Sequence, residues 1–257
     1  MRYRSGSIEI SRGHDLPLLR QVIESQFVSH SQLFTFMNLG CYESKRRSFN
    51  WRLGRLLEHG LLQRHNLACV CGDPLYTITK SGIACLEIHG EYYPAAFPIS
   101  NGRAEEFSVI HALELNEIHL VLLRRNELRV TWIPEIKIRT SDHFGIRSYA
   151  KEYDAIVEIS LAEKSVSFAL EYERTQKRVD DYLKICGLLE HERSLSLFLY
   201  LVPSHDLLAR VARCFSASKR RVLFCLLHEF KDRLLEANVS DTRCIRPLPL
   251  WQAFNQT

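Results

Sequence analysis

Glu171 and Glu173 stand two residues apart at the end of the apolar run Phe168-Ala169-Leu170. A strand repeats every two residues, so both carboxylates project from one face of a sheet. Upstream, Asp154 opens a second apolar run, Ala155-Ile156-Val157-Glu158-Ile159. One acid at the start of a strand and two at the end of the next is the arrangement of a metal-dependent nuclease core, working or eroded. Lys177 follows Glu173 by about one helical turn and is the nearest cation in that direction. The plainer alternative is that Glu171 and Glu173 simply form ion pairs with Arg174, Lys177 and Arg178.

A second set of residues lies near the N-terminus. Between positions 44 and 55 the chain carries Lys45, Arg46, Arg47, Arg52 and Arg55 and no acid. Phe49, Leu53, Leu56 and Leu57 form one stripe at helical spacing, which turns Ser44, Arg47, Ser48, Trp51 and Arg55 to the opposite side. Trp51 flanked by Arg47 and Arg55 suits DNA, with phosphates setting register and base-edge contacts setting sequence. The bland alternatives are a solvated basic face, or a helix rotated so that Trp51 is core.

The elements that must position these residues follow from periodicity. Leu16, Leu19, Val22 and Ile23 share a face of a first helix that starts at Asp15. A second helix opens at Ser29 or Ser31 and ends at Gly40, and the basic third helix runs from Ser44 to His59. Strands at 61–64 and 75–79, with a turn at Gly72-Asp73-Pro74, lead into a helix at Lys80. Residues 90–103 hold two prolines and two glycines and read as a connection.

A long helix is expected over 103–125, with His111 packed on its apolar face, and then a strand at 128–134. Residues 137–152 read as a polar loop. After the Asp154 and Glu171 strands, Thr175 is expected to N-cap a helix reaching about His191 and carrying Lys177, Tyr182 and Lys184. The chain closes as strand 195–202, helix 206–215, strand 221–227 and an irregular tail. Residues 1–14 are polar and expected to be poorly ordered.

Composition sets the outer bounds. With 257 residues, 46% hydrophobic and 25% charged, the chain is long enough for one large or two ordinary globular domains. A net charge of +4 permits nucleic-acid binding without arguing for it. Of the eight cysteines only Cys69 and Cys71 are closely spaced, and no second pair or His motif completes a zinc site. The start Met1-Arg2-Tyr3-Arg4 leads into polar sequence, no apolar run approaches the ~20 residues of a membrane helix, and a reduced cytoplasmic setting is expected. P-loop, dinucleotide-binding and nucleophile-elbow motifs are absent.

Two stretches carry a family resemblance. Arg52-Leu53-Gly54-Arg55-Leu56-Leu57-Glu58-His59-Gly60-Leu61-Leu62 resembles the recognition-helix-into-wing segment of the winged helix-turn-helix family, and Leu75-Tyr76-Thr77-Ile78-Thr79-Lys80-Ser81-Gly82 resembles its wing exit. The likeness covers residues 15–90. It implies a double-stranded-DNA contact through Lys45, Arg46, Arg47, Ser48, Trp51, Arg52 and Arg55, although winged helices also serve as protein-docking modules. From 103 to 250 the order α-β-β-β-α-β-α-β resembles, in its first six elements, the αβββαβ core of the PD-(D/E)XK nuclease-like fold.

That second likeness implies Mg²⁺ on Asp154 and Glu171, polarising a phosphodiester and activating a water. The position of the usual lysine is Glu173, and Tyr153 stands where the motif's proline would be. Lys177 or Lys184 on the following helix would have to supply the missing charge. The combination of winged helix, His111, Asn116, Asp154, Glu171-Tyr172-Glu173-Arg174-Thr175 and Lys184 is similar to the plasmid replication-relaxation family, over about residues 15–190.

The expectation is thus a two-domain α+β protein, winged helix first and a PD-(D/E)XK-like domain second. It would bind specific DNA sequences as a transcriptional regulator, or as a replication or mobilisation accessory of a mobile element, with a degenerate nuclease-like domain and no cofactor needed for binding. The alternative is a Mg²⁺-dependent DNA endonuclease using Asp154, Glu171, Glu173 and Lys177. A homodimer is compatible with either, and protein docking without DNA is the third possibility.

Overall fold

The computed structural model describes residues 8–67, 72–93, 106–145, 149–161, 164–242 and 247–255. Cys69, Cys71 and most of the Pro/Gly connection after Tyr93 lie outside the described residues. The protein is mixed α and β, with a helical N-terminal part and a large mixed sheet, and it divides into two compact units at Leu120/Val121.

The first unit contains α1 (Asp15–Ser25), β1 (Val28–Ser29), α2 (His30–Leu39), α3 (Arg46–Glu58), β2 (Leu62–His65), β3 (Leu75–Ile78) and α4 (Lys80–Ile88). Its sheet has the order β1-β3-β2, all antiparallel, with Val28 opposite Tyr76 and Leu62 opposite Ile78. Strand β1 has two residues, too few to show a period, and was not foreseen. Its Ser29 also closes a capping box on α2: the Ser29 hydroxyl accepts from Gln32 N at 3.2 Å, and the Gln32 side chain accepts from Ser29 N at 3.4 Å. Such caps contribute about 1 kcal/mol. At Gly82 an added Cβ would meet the Leu61 carbonyl oxygen at 2.3 Å, so α4 crosses the β2 strand start at a distance that glycine permits.

Helix α5 (Glu106–Leu123) begins where a second domain was expected, yet through Leu120 it belongs to the first unit. Asn116 Nδ2 donates to Phe27 O at 2.7 Å and Gln32 Nε2 to Leu113 O at 2.8 Å. The segment 8–14 is likewise more engaged than its polarity suggested, since Ser11 N donates to the Asp15 side chain at 2.8 Å.

The second unit follows with β4 (Arg129–Pro134), α6 (Glu135–His143), β5 (Ala155–Leu161), β6 (Lys164–Tyr172), α7 (Val179–His191), β7 (Leu197–Val202), α8 (His205–Cys214), β8 (Arg221–Leu226), α9 (Leu227–Arg233), β9 (Asn238–Asp241), β10 (Leu248–Pro249) and α10 (Leu250–Phe254). Among the described residues its sheet has seven strands in the order β10-β9-β8-β7-β6-β5-β4. β4, β5 and β6 form an antiparallel meander, α7 and α8 cross over between the parallel β6, β7 and β8, and the last two pairings are antiparallel. One face carries a core of Tyr153, Ile156, Ala169, Tyr182, Phe198 and Tyr200 with others.

Three expectations are corrected here. The polar loop at 137–152 is helical over its first part as α6, which buries only Ile136 and Ile138 and gains an Arg139–Glu135 ion pair at 2.7 Å one turn apart. Two buried side chains in a charged stretch leave too faint a period to read. Thr175 does not cap α7, whose N-cap is Arg178. Instead Glu173 N donates to Leu201 O at 2.9 Å, which prolongs the strand pairing, and Lys177 N donates to the Tyr182 hydroxyl at 3.1 Å. The described part of the tail is regular rather than irregular, forming β9, β10 and α10: buried Arg221 pairs with Asp241 at 2.7 Å and donates to Ala253 O at 2.7 Å, tying β8 to β9 and α10.

Candidate functional site

The basic helix presents two populations of cations. Phe49, Leu53 and Leu56 are buried, as the stripe required, and Lys45, Arg46, Arg47, Asn50 and Trp51 are exposed, with Ser48 half-buried. Trp51 keeps 60% of its surface in contact with solvent, so it is not core. The Arg46 guanidinium lies over the Phe34 ring at 4.8 Å, a cation–π contact made by a residue that remains exposed.

Arg52 and Arg55 are committed inward. Arg52 Nη1 donates to Asp15 Oδ1 at 2.9 Å, Arg55 Nη2 donates to Asp15 Oδ2, and Arg52 also faces Glu43 at 3.6 Å. Asp15 is completely buried at the start of α1. Burial would raise its pKa, but the Ser11 amide and the two guanidiniums outweigh that and hold it below the usual carboxylate range. The fork thereby joins α1 to α3.

The acid cluster forms as the spacing required. Ala155 pairs with Leu170 and Glu171 with Tyr200, which brings Asp154, Glu171 and Tyr200 to one end of the same sheet face, with Glu173 two residues further. Asp154 Oδ2 accepts from Tyr172 N at 2.7 Å. Glu171 and Glu173 are 7% and 4% exposed. Lys151 Nζ donates to Glu171 Oε1 and sits 4.5 Å from the Tyr153 ring centroid, while Lys177 Nζ donates to Glu173 Oε2 at 2.5 Å.

Burial pushes the Glu171 carboxyl up to about 7; Lys151 opposes this and the nearby Asp154 charge adds to it. Burial also raises Glu173, against the pull of Lys177. For Lys177 burial works downward, but Glu173 prevails and its pKa is raised. The Tyr200 hydroxyl, buried beside these acids, has no hydrogen-bond partner among the described residues, and its pKa is raised by burial and by the Glu171 and Glu173 charges.

Oxygen donors of this kind suit Mg²⁺. As placed, however, one Asp154 oxygen serves the Tyr172 amide and the two glutamates serve lysines. Among the described residues no three His, Cys, Asp or Glu side chains are grouped to hold a metal ion.

Of the residues singled out from sequence, Asp154, Glu171, Glu173 and Lys177 come together, and Lys45, Arg46, Arg47, Ser48 and Trp51 share the outer side of α3. Arg52 and Arg55 depart from that side toward Asp15. Lys151 and Asp15 were missed. Lys151 lay in the stretch read as loop, and an acid in a first helical turn ordinarily signifies no more than a favourable dipole contact.

Comparison with known protein families finds none whose pattern matches this chain, and comparison with curated proteins finds no match either.

Proposed function

We propose that this chain is a sequence-specific double-stranded-DNA-binding protein that reads its target with the outer side of α3. The observation that carries the reading is the exposed run Lys45, Arg46, Arg47, Asn50 and Trp51, cationic and aromatic with no acid among them. The element order α1-β1-α2-α3-β2-β3, with its β1-β3-β2 sheet, supports a winged helix in which α3 enters the major groove. Ammonium and guanidinium groups there would contact phosphates, and Asn50 and Trp51 would face base edges.

The chain from β4 onward is read as a PD-(D/E)XK-like domain whose acid site is degenerate; its βββαβ order is interrupted by α6, and the helix expected to lead it, α5, belongs through Leu120 to the first unit. Lysines 151 and 177 neutralising Glu171 and Glu173 support that degeneracy. The resemblance to the plasmid replication-relaxation family favours a replication or mobilisation accessory, or a regulator, acting on DNA in the cytoplasm. Among the described residues no helix is long and apolar enough to cross a membrane.

Selection from a random duplex pool tests this reading. The wild-type chain should enrich one motif, and Arg47→Ala with Trp51→Ala should enrich none. Equal enrichment by both would refute it.

The Tyr200 hydroxyl, without a hydrogen-bond partner among the described residues and beside Glu171 and Glu173, favours a second reading in which the cluster retains endonuclease activity. Plasmid nicking in Mg²⁺ or Mn²⁺ that disappears in Asp154→Ala would establish it, and no nicking by the wild-type chain would dismiss it.

A further inference from the structure

We infer that Asp15 is a positioning residue which, acting through Arg55, fixes the exposed Trp51 indole as a rigid contact for the apolar edge of a base pair. Arg55 stands one helical turn after Trp51, and its guanidinium lies 5.1 Å from the centre of the indole. The same guanidinium is held at two other points: Nη2 donates to the buried Asp15, and Nη1 donates to Glu9 O at 3.1 Å. Asp15 is anchored in turn by Ser11 N at 2.8 Å and by Arg52 Nη1 at 2.9 Å. A chain of contacts therefore runs from the start of α1 to the solvent face of α3.

An exposed tryptophan with no such partner moves among several rotamers and loses that freedom when it binds. A planar guanidinium pinned over the ring removes the freedom beforehand. Trp51 keeps 60% of its surface open, so the ring is steadied without being covered. A large, rigid aromatic group at a helix surface suits contact with thymine methyl groups, whose apolar surface is available in the major groove. This identification of the ligand rests on the DNA reading above; the steadying of Trp51 does not.

The experiment uses the full chain with Trp132→Phe and Trp251→Phe, so that emission comes from Trp51 alone. Asp15→Asn removes the anchor, and Arg55→Lys keeps a cation for Asp15 but removes the planar group from the ring. Circular dichroism melts identify folded variants, and Arg55→Lys carries the test if Asp15→Asn does not fold. Expected in folded variants are lower Trp51 anisotropy, stronger acrylamide quenching, and about tenfold weaker binding to a thymine-containing duplex obtained by selection. Replacing thymine by uracil in that duplex should weaken the parent protein and leave the variants little changed.

Unchanged anisotropy and quenching in a folded Arg55→Lys variant would overturn the proposed steadying. Failure of the parent protein to bind any duplex would instead remove the DNA reading, while the emission measurements would still decide the role of Asp15.

Discussion

Asp15 in the first unit and Glu171 in the second are both buried carboxylates with basic partners, and their pKa values are shifted in opposite directions, Asp15 down and Glu171 up. Asp15 meets two guanidiniums and a backbone amide, so its charged form is favoured. Glu171 hydrogen-bonds one ammonium, that of Lys151, feels the charge of Lys177, shares its surroundings with Asp154, and lies beside a tyrosine hydroxyl, and burial prevails. The difference teaches that the number of donors around a buried acid, and its distance from other acids, decides whether the acid is a structural anchor or a group that gives up its charge near neutrality. The first arrangement is a fixed clamp on α3, and the second is a partly neutral cluster.

The largest effect should follow from breaking the clamp. Asp15→Ala leaves Arg52 and Arg55 facing a buried gap, with both Nε atoms already lacking partners among the described residues. It should cost about 3–5 kcal/mol in urea unfolding of the first unit. Lys151→Met is expected to cost less, about 1–2 kcal/mol, because Glu171 can take up a proton near pH 7 and avoid an unpaired charge. Adding Glu171→Gln to Lys151→Met should recover most of that loss. A loss equal to that of Asp15→Ala would show that Glu171 is as firmly ionised as Asp15.

The pH dependence should separate the two units by sign. Glu171 has a folded pKa above its ordinary value of 4.5, so its contribution is fully present below 4.5 and is lost as pH rises through about 7. Asp15 has a folded pKa below 3.8, so its contribution is present above 3.8 and is lost as pH falls through the depressed value. Urea midpoints measured from pH 2 to 8, with probes in each unit, should show the high-pH decline reduced by Glu171→Gln, with the raised Glu173 supplying the remainder, and the acid decline reduced by Asp15→Asn.

The smallest effect concerns Gly54, on the open side of α3, where an added Cβ would have no neighbour within 4 Å. Gly54→Ala should stabilise the chain by about 1 kcal/mol through helix propensity alone. No gain in melting temperature would contradict an unobstructed position for the added methyl group.

Much of both sites could be read from spacing. The stripe of Phe49, Leu53 and Leu56 placed Trp51 outward, and the two-residue interval of Glu171 and Glu173 placed both acids on one face, because burial of a known period fixes orientation. Partners brought from distant sequence could not be read. Nothing in α3 reveals that Arg52 and Arg55 turn toward Asp15, which lies 37 and 40 residues away. Lys151 reaches Glu171 across 20 residues, and α6 and the C-terminal pairings rest on too few buried side chains to show a period. The same limit applies to α5, whose helical spacing is plain but whose polar ties to Phe27 and Gln32 are long-range.

The contrast between exposed and clamped cations on α3 is tested most directly by the salt dependence of duplex binding in two single variants. Loss of one phosphate contact should lower the slope of log affinity against log salt by about 0.9. Arg47→Ala should show that reduction with little change in stability. Arg52→Ala should keep the wild-type slope and lose stability. An unchanged slope in Arg47→Ala, or a reduced slope only in Arg52→Ala, would contradict the assignment of the outer side of α3 as the DNA-reading surface.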